Sequence, residues 1–220
     1  MTTLAERYAA VQQRIVRAAE GAGRDPASVN LVAVSKRHPA QAMRELYALG
    51  QRRFGENYAQ ELCAKAEQLA DLPELELHFI GGFQRNKARD LARASRVVET
   101  LASPSHVQAL ARRATRPLDV FLQVNVGGEA QKSGCTVEAL PELIQEAGAH
   151  ETLRLLGLMT IPPAGDPELA RRCYRELRAL AEAHELSGLS MGMSADLEVA
   201  VEEGATHVRV GTAIFGPRPT

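Results

Sequence analysis

Leu31-Val32-Ala33-Val34-Ser35-Lys36 is a run of four apolar residues with no alternation, closed by a hydroxyl and an amine. Continuous rather than alternating hydrophobicity belongs to a strand buried on both faces, as in a parallel sheet covered by helices. Working outward, similar runs recur at 77–80, 120–124 and 155–158, and in weaker form at 52–54, 97–99, 188–191 and 207–210. The segments 39–49, 58–70, 104–114, 137–149 and 167–184 between them carry apolar residues at helical intervals. About eight β/α units in 220 residues predict one domain over 1–220, a (β/α)8 barrel of the α/β class. A doubly wound open sheet, which needs fewer strands, is the alternative. An extra N-terminal helix precedes the barrel: Leu4, Tyr8, Val11, Ile15 and Ala18 share a face, with Glu6, Gln13, Arg14 and Arg17 on others.

Composition narrows the function classes. Lys+Arg is 26 against Asp+Glu 27, a formal net charge of -1, so the global basic bias of a nucleic-acid or anionic-membrane binder is absent. The basic stretch from Arg85 to Arg89, with Arg93 and Arg96 beyond it, is interrupted by Asp90 and lacks aromatic stacking partners, so it reads as a solvated helix face. No stretch has the length of a membrane span, and the first twenty or so residues are an amphipathic helix rather than a signal peptide. Cys63, Cys135 and Cys173 are odd in number and far apart, which argues against a disulfide framework or a zinc site and for a reducing cytoplasm.

The polar and glycine-rich residues fall just after the predicted strands: Ser35-Lys36, Gly55-Glu56-Asn57, Gly81-Gly82, Asn125, Met159-Thr160, Gly192-Met193-Ser194 and Gly211-Thr212. A barrel gathers those ends at one mouth. The irregular stretches 127–136 and 162–167 also follow strands and are expected to wall the site.

Of the four lysines, Lys36, Lys65, Lys87 and Lys132, only Lys36 directly follows an apolar strand. Desolvation lowers the pKa of an amine and frees the lone pair that attacks a carbonyl. Lysine at a strand end can equally snorkel to solvent, and position alone fits any imine-forming barrel. At the other end of the chain, Arg209-Val210-Gly211-Thr212 offers a glycine turn, a helix start and a hydroxyl where barrels commonly hold phosphate, and Ser194 adds a second hydroxyl. An amine after the first strand and a phosphate cup after the last specify a ligand with an aldehyde at one end and a phosphate at the other. Arg209 lies on the same side of its strand as Gly211 and would face a pyridine nitrogen between them, keeping it unprotonated and the ring a weak electron sink. Pairing of Arg209 with Glu99 or another barrel carboxylate is the alternative.

These segments, with Phe54-Gly55-Glu56-Asn57, His78-Phe79-Ile80-Gly81, Gln84 to Lys87, Gly157 to Pro162, Leu189 to Ser194 and Arg209 to Gly216, closely resemble the YggS/PROSC family of pyridoxal phosphate (PLP) homeostasis proteins. The match is in order over nearly the whole chain. The resemblance implies a fold-type III barrel like the N-terminal domain of alanine racemase and a PLP imine on Lys36. It places Asn57 near the cofactor ring, Arg209 at the pyridine nitrogen, and Ser194, Gly211 and Thr212 at the phosphate. Glu129 and Lys132 match a family loop near the mouth. Arg37-His38-Pro39 departs from the family, many of whose members have a second lysine before the proline. Gly82-Phe83 replaces a Pro-Leu type of pair, and the basic C-terminal tail of some relatives is not matched.

A racemase of this fold needs a second acid/base group opposite the lysine, which in the racemases comes from an added β-domain or a partner's copy of it. Tyr8, Tyr47, Tyr58 and Tyr174 all fall in predicted helices, so no residue is assigned as catalytic and none as a metal ligand. The expected function is a non-catalytic, monomeric, cytoplasmic protein that buffers or delivers PLP, with apo-enzymes that use PLP as recipients. A minimal amino-acid racemase or lyase and a class I aldolase are the enzyme alternatives. His78 reads as a core histidine, Met159, Met191 and Met193 as barrel or pocket lining, and Glu56 as the neutraliser of a nearby cation.

Overall fold

The computed structural model describes residues 2–128 and 133–217. Eight parallel strands close into a barrel in chain order, β1 (Asn30–Val34), β2 (Arg53–Glu56), β3 (Glu76–Phe79), β4 (Val97–Leu101), β5 (Leu118–Gln123), β6 (Leu153–Met159), β7 (Gly188–Ser190) and β8 (His207–Val210). β1 pairs with both β2 and β8, with Val32 opposite Arg209 and Ala33 opposite Val210. That closure excludes the open sheet.

Around the barrel run α2 (Ala40–Ala48), α3 (Ala59–Gln68), α4 (Ala88–Ala94), α5 (Pro104–Ala111), α6 (Leu140–Gly148), α7 (Pro167–Ala183), α8 (Leu197–Glu202) and α9 (Thr212–Phe215), after α1 (Leu4–Gly21). Helix starts follow local chemistry. Thr3 and Glu6 form a reciprocal capping box on α1, with Glu6 N donating to Thr3 Oγ1 at 3.2 Å and Thr3 N to Glu6 Oε2 at 2.7 Å. Ser103 and Asp166 cap α5 and α7, each followed by a proline whose missing N–H costs the first turn nothing. The basic residues Arg85, Arg89, Arg93 and Arg96 are exposed, as a solvated face requires.

Two apolar layers result. The larger lies between strands and helices and includes Leu31, Ala33, Phe54 and Leu77, with Tyr8, Val11, Ile15 and Ala18 of α1 packed into it. The smaller, inside the barrel, is Val97, Phe121 and Met159. Strand residues alternate between these layers. Val32 and Val34 therefore share an orientation with Lys36, and Arg209 with Gly211, toward the interior and the mouth. Strand β4 is longer than its apolar run suggests because Glu99 and Thr100 are buried, and a sequence window reads such polar residues as a strand end.

Glycine is obligatory where β6 meets β7: a Cβ on Gly157 would lie 1.9 Å from the carbonyl oxygen of Gly188. Gly157→Ala is expected to lower unfolding stability at the upper end of the about 1–3 kcal/mol typical of overpacking. An unchanged urea midpoint would contradict the tight β6–β7 contact.

Candidate functional site

The strand ends meet at a cavity of about 290 Å³ lined by Lys36, Asn57, Ser194, Arg209, Gly211 and Thr212, with Ile80, Ile161 and Met193 among its apolar walls. All six residues singled out in the sequence share this one cavity. A second hollow of about 230 Å³ adjoins it across Asn57, Ile80 and Ile161 and reaches Gly81, Thr100 and Gln123. The stretch 162–167 lies beside the site, around a smaller hollow that shares Met193 and Ala195 with it. Glu129 and Lys132 lie outside the described residues.

Lys36 is half-buried at the end of β1. The backbone on either side of it is held from the helix layer. Lys65, its side chain 5% exposed, donates from Nζ to Ser35 O at 2.7 Å, Glu56 Oε1 at 2.6 Å and Glu61 Oε1 at 2.8 Å. Ser35 Oγ donates to Glu56 Oε1 at 2.6 Å, and Arg37 N, in the left-handed region at φ 64°, donates to Glu61 Oε1 at 2.6 Å. Burial pushes the Glu56 carboxyl up, and the charge of Lys65 works against that rise. Glu56 thus neutralises a cation, as expected. Lys65 is not marked by its sequence position, although Glu61 and Lys65 stand at i,i+4 on a predicted helix.

Arg209 is buried and tied into the barrel. Nη1 donates to Ser190 Oγ at 2.6 Å and Nη2 to Thr160 O at 2.9 Å, while Glu99 Oε2 lies 3.9 Å from Nη1. Ser190 Oγ in turn donates to Glu99 Oε2 at 2.5 Å. The carboxylate neighbourhood and the place in the cavity wall therefore coexist in one side chain. Glu99 also accepts from His78 Nδ1 at 2.6 Å, and Glu76 lies 3.9 Å from His78 Nε2. Burial alone would raise Glu99, but the hydrogen bond and charge of His78, with Arg209 and Ser190, outweigh it and hold the carboxyl near about 2. Burial alone would lower His78, yet Glu76 and Glu99 raise it. His78 is a core histidine, but only half satisfied: Nδ1 is bonded to Glu99, while the buried Nε2 has no hydrogen-bond partner among the described residues.

His207, at the start of β8, is pushed down to about 4, chiefly by burial. Between about 4 and the ordinary value of 6.5 the unfolded chain binds the proton that folded His207 refuses, so this residue makes stability fall as pH drops through that window. His78, raised, acts in the opposite sense at higher pH. Urea midpoints measured from pH 7 to pH 4 should fall less steeply in His207→Gln than in the wild type. Parallel curves would contradict the burial of a neutral imidazole.

Asn57 follows β2, and its Oδ1 is buried without a hydrogen-bond partner among the described residues. Its backbone approaches β3 so closely that a Cβ on Gly81 would lie 1.9 Å from Asn57 O. On the opposite wall the turn after β7 is fixed by Asp196, which accepts from Met193 N at 2.6 Å and from Tyr174 Oη at 2.8 Å. Burial, with the Asp196 charge, pushes the Tyr174 hydroxyl far up, so it is a structural donor and no acid or base. Ser194 Oγ faces the next segment, accepting from Ala213 N at 3.5 Å. His38 stacks on Phe215 with ring centroids 4.9 Å apart.

Comparison with known proteins places this arrangement. The profile of the alanine racemase N-terminal domain matches residues 7–219. The pyridoxal phosphate homeostasis protein of Pseudomonas aeruginosa is 49% identical over 224 residues, covering 99% of this chain and 97% of that protein. The structure of PipY from Synechococcus elongatus with PLP bound superposes with a TM-score of 0.85 at 35% identity, over 97% of this chain and all of that one. Alanine racemase from Corynebacterium glutamicum, at 21% identity and a TM-score of 0.68, shares the fold, and the match covers 62% of its chain. On these matches over almost its whole length, the chain belongs to the YggS/PROSC family of pyridoxal phosphate homeostasis proteins.

Proposed function

We propose that this chain binds PLP reversibly in the mouth of the barrel, with Lys36 as the imine-forming amine, and that it buffers or delivers the cofactor rather than using it in turnover. The observation that carries the reading is the convergence of Lys36 with Ser194, Gly211 and Thr212 on one cavity. The donor set suits the ligand: an amine on one wall, two hydroxyls and a glycine turn on the other, a guanidinium in the wall and an unsatisfied amide oxygen on Asn57. The PLP complex of PipY and the name of the Pseudomonas relative support the same ligand class.

When bound, the cofactor supplies an aldehyde that condenses with an amine and releases water. The protein's residues then have separate tasks. The Lys65–Glu56–Glu61 group fixes the backbone around Lys36, so that Nζ is presented to the cavity rather than free to wander. Ser194 and Thr212 donate hydroxyls to the phosphate end. Arg209, always protonated, would leave a ring nitrogen facing it unprotonated, which disfavours carbanion chemistry. Asn57 accepts from a ligand donor in a place where an orphaned buried oxygen is otherwise costly.

Reversible storage and catalysis separate in one experiment. PLP-loaded protein mixed with an apo-enzyme that requires PLP is expected to restore that enzyme's activity. In the same preparation, exchange of the α-hydrogen of alanine with solvent deuterium should be at most a trace. Robust exchange that depends on Lys36 would make the protein a minimal racemase and overturn the carrier reading.

A further inference from the structure

Helix α1 stands outside the eight β/α units and packs on them through an apolar seam of Tyr8, Val11 and Ile15. It also carries two arginines that reach the backbone of the site. Arg14 forks onto Glu198 of α8, with Nε 2.5 Å from Oε1 and Nη2 2.8 Å from Oε2, and Nη2 donates to the carbonyl oxygen of Ser194 at 3.0 Å. Arg7 Nε donates to the carbonyl oxygen of Ile214 at 2.7 Å, and its Nη2 lies 3.5 Å from that of Phe215, in the last turn of α9. Seven residues apart, the two side chains leave α1 within about 20° of each other, so one helix face holds both segments. One segment carries Ser194 and the other Gly211 and Thr212, and they meet across the long 3.5 Å contact between Ala213 N and Ser194 Oγ.

We infer that Arg14, with Arg7 beside it, sets the spacing of the two halves of the phosphate cup and acts as a positioning residue for recognition of a phosphorylated ligand. The inference rests on the PLP reading above and names a part of the chain that does not line the cavity. The pair geometry suits the task. A bidentate Arg–carboxylate fork fixes direction as well as distance, which a lysine's single ammonium does not. The Glu198 carboxyl is held below its ordinary value, first by its hydrogen bond to Arg14, as a standing ion pair requires. A cup loosened by a fraction of an ångström loses most for the group that needs both halves at once.

The test compares PLP with pyridoxal, which has the aldehyde and ring but no phosphate. Affinities for both are measured by absorbance titration in the wild type, Arg14→Met and Arg14→Lys. The expected result is a loss of about tenfold in PLP affinity for Arg14→Met, with pyridoxal affinity changed less than about twofold. Arg14→Lys should recover part of the loss, and it carries the test alone, as a smaller selective loss, should Arg14→Met not fold. Equal loss for both ligands would mean that Arg14 only holds the fold, and unchanged PLP affinity would mean that it does not act on the cup. Either result overturns the inference and leaves the PLP reading intact. Wild-type protein that binds neither ligand would overturn that reading, and the inference with it.

Discussion

Lys36→Ala is expected to abolish the imine band that PLP gives with the wild-type protein, leaving only the absorbance of the free aldehyde, and to leave the fold intact. The side chain sits at the end of β1, half-buried, and is not a member of the apolar core. The anchor points around it, Ser35 O and Arg37 N, are backbone groups held by Lys65 and Glu61, so they survive the truncation. Removing one partly exposed side chain of this kind changes stability by about 0.5 kcal/mol or less. Phosphate and ring contacts would remain, giving weak and rapidly reversible binding without an imine band. Lys65 cannot take over. Its ammonium is buried among Glu56, Glu61 and Ser35 O, and withdrawing it would leave the Glu56 carboxylate unpaired in the interior. Persistence of the imine band in Lys36→Ala would assign the amine elsewhere.

Glu99→Ala has the largest expected effect on stability. Glu99 is fully buried in the barrel, where it accepts from His78 and Ser190 and lies 3.9 Å from Arg209. Its loss leaves a guanidinium and a raised imidazole in the interior without their shared carboxylate. Breaking a buried charge network from one side costs about 3–5 kcal/mol, a large fraction of a domain's total. Denaturant unfolding should show that loss, and PLP affinity should fall too, because Ser190 and Glu99 orient the guanidinium of Arg209. A cost under about 1 kcal/mol would mean that the network is slack and that Ser190 Oγ and Thr160 O hold Arg209 without the carboxylate.

The sequence carried the strands that are purely apolar, the helices that begin at Pro104 and Pro167, and the positions at strand ends that line the mouth. Those features depend on near neighbours in the chain: a hydrophobic run, a cap, a proline, a glycine turn. What it did not carry depends on partners far apart. Lys65 looks like any helix lysine until Glu56 and Ser35 are brought to it. Arg14 falls on a polar face of α1 and would be set aside as solvated, yet its partner lies 184 residues away on α8. Glu99 breaks the apolar pattern of β4 because its compensation, His78 and Ser190, comes from two other strands. Helices α8 and α9, of 6 and 4 residues, are too short to display a period.

The most direct test of the central claim is to add PLP to the purified protein, record the visible spectrum, reduce with borohydride and map the modified peptide. A band shifted from that of free PLP, with the reduced adduct confined to Lys36, is the predicted result. No shifted band, or an adduct spread over Lys65, Lys87 and Lys132, would contradict it and leave a barrel with a phosphate cup but no assigned aldehyde.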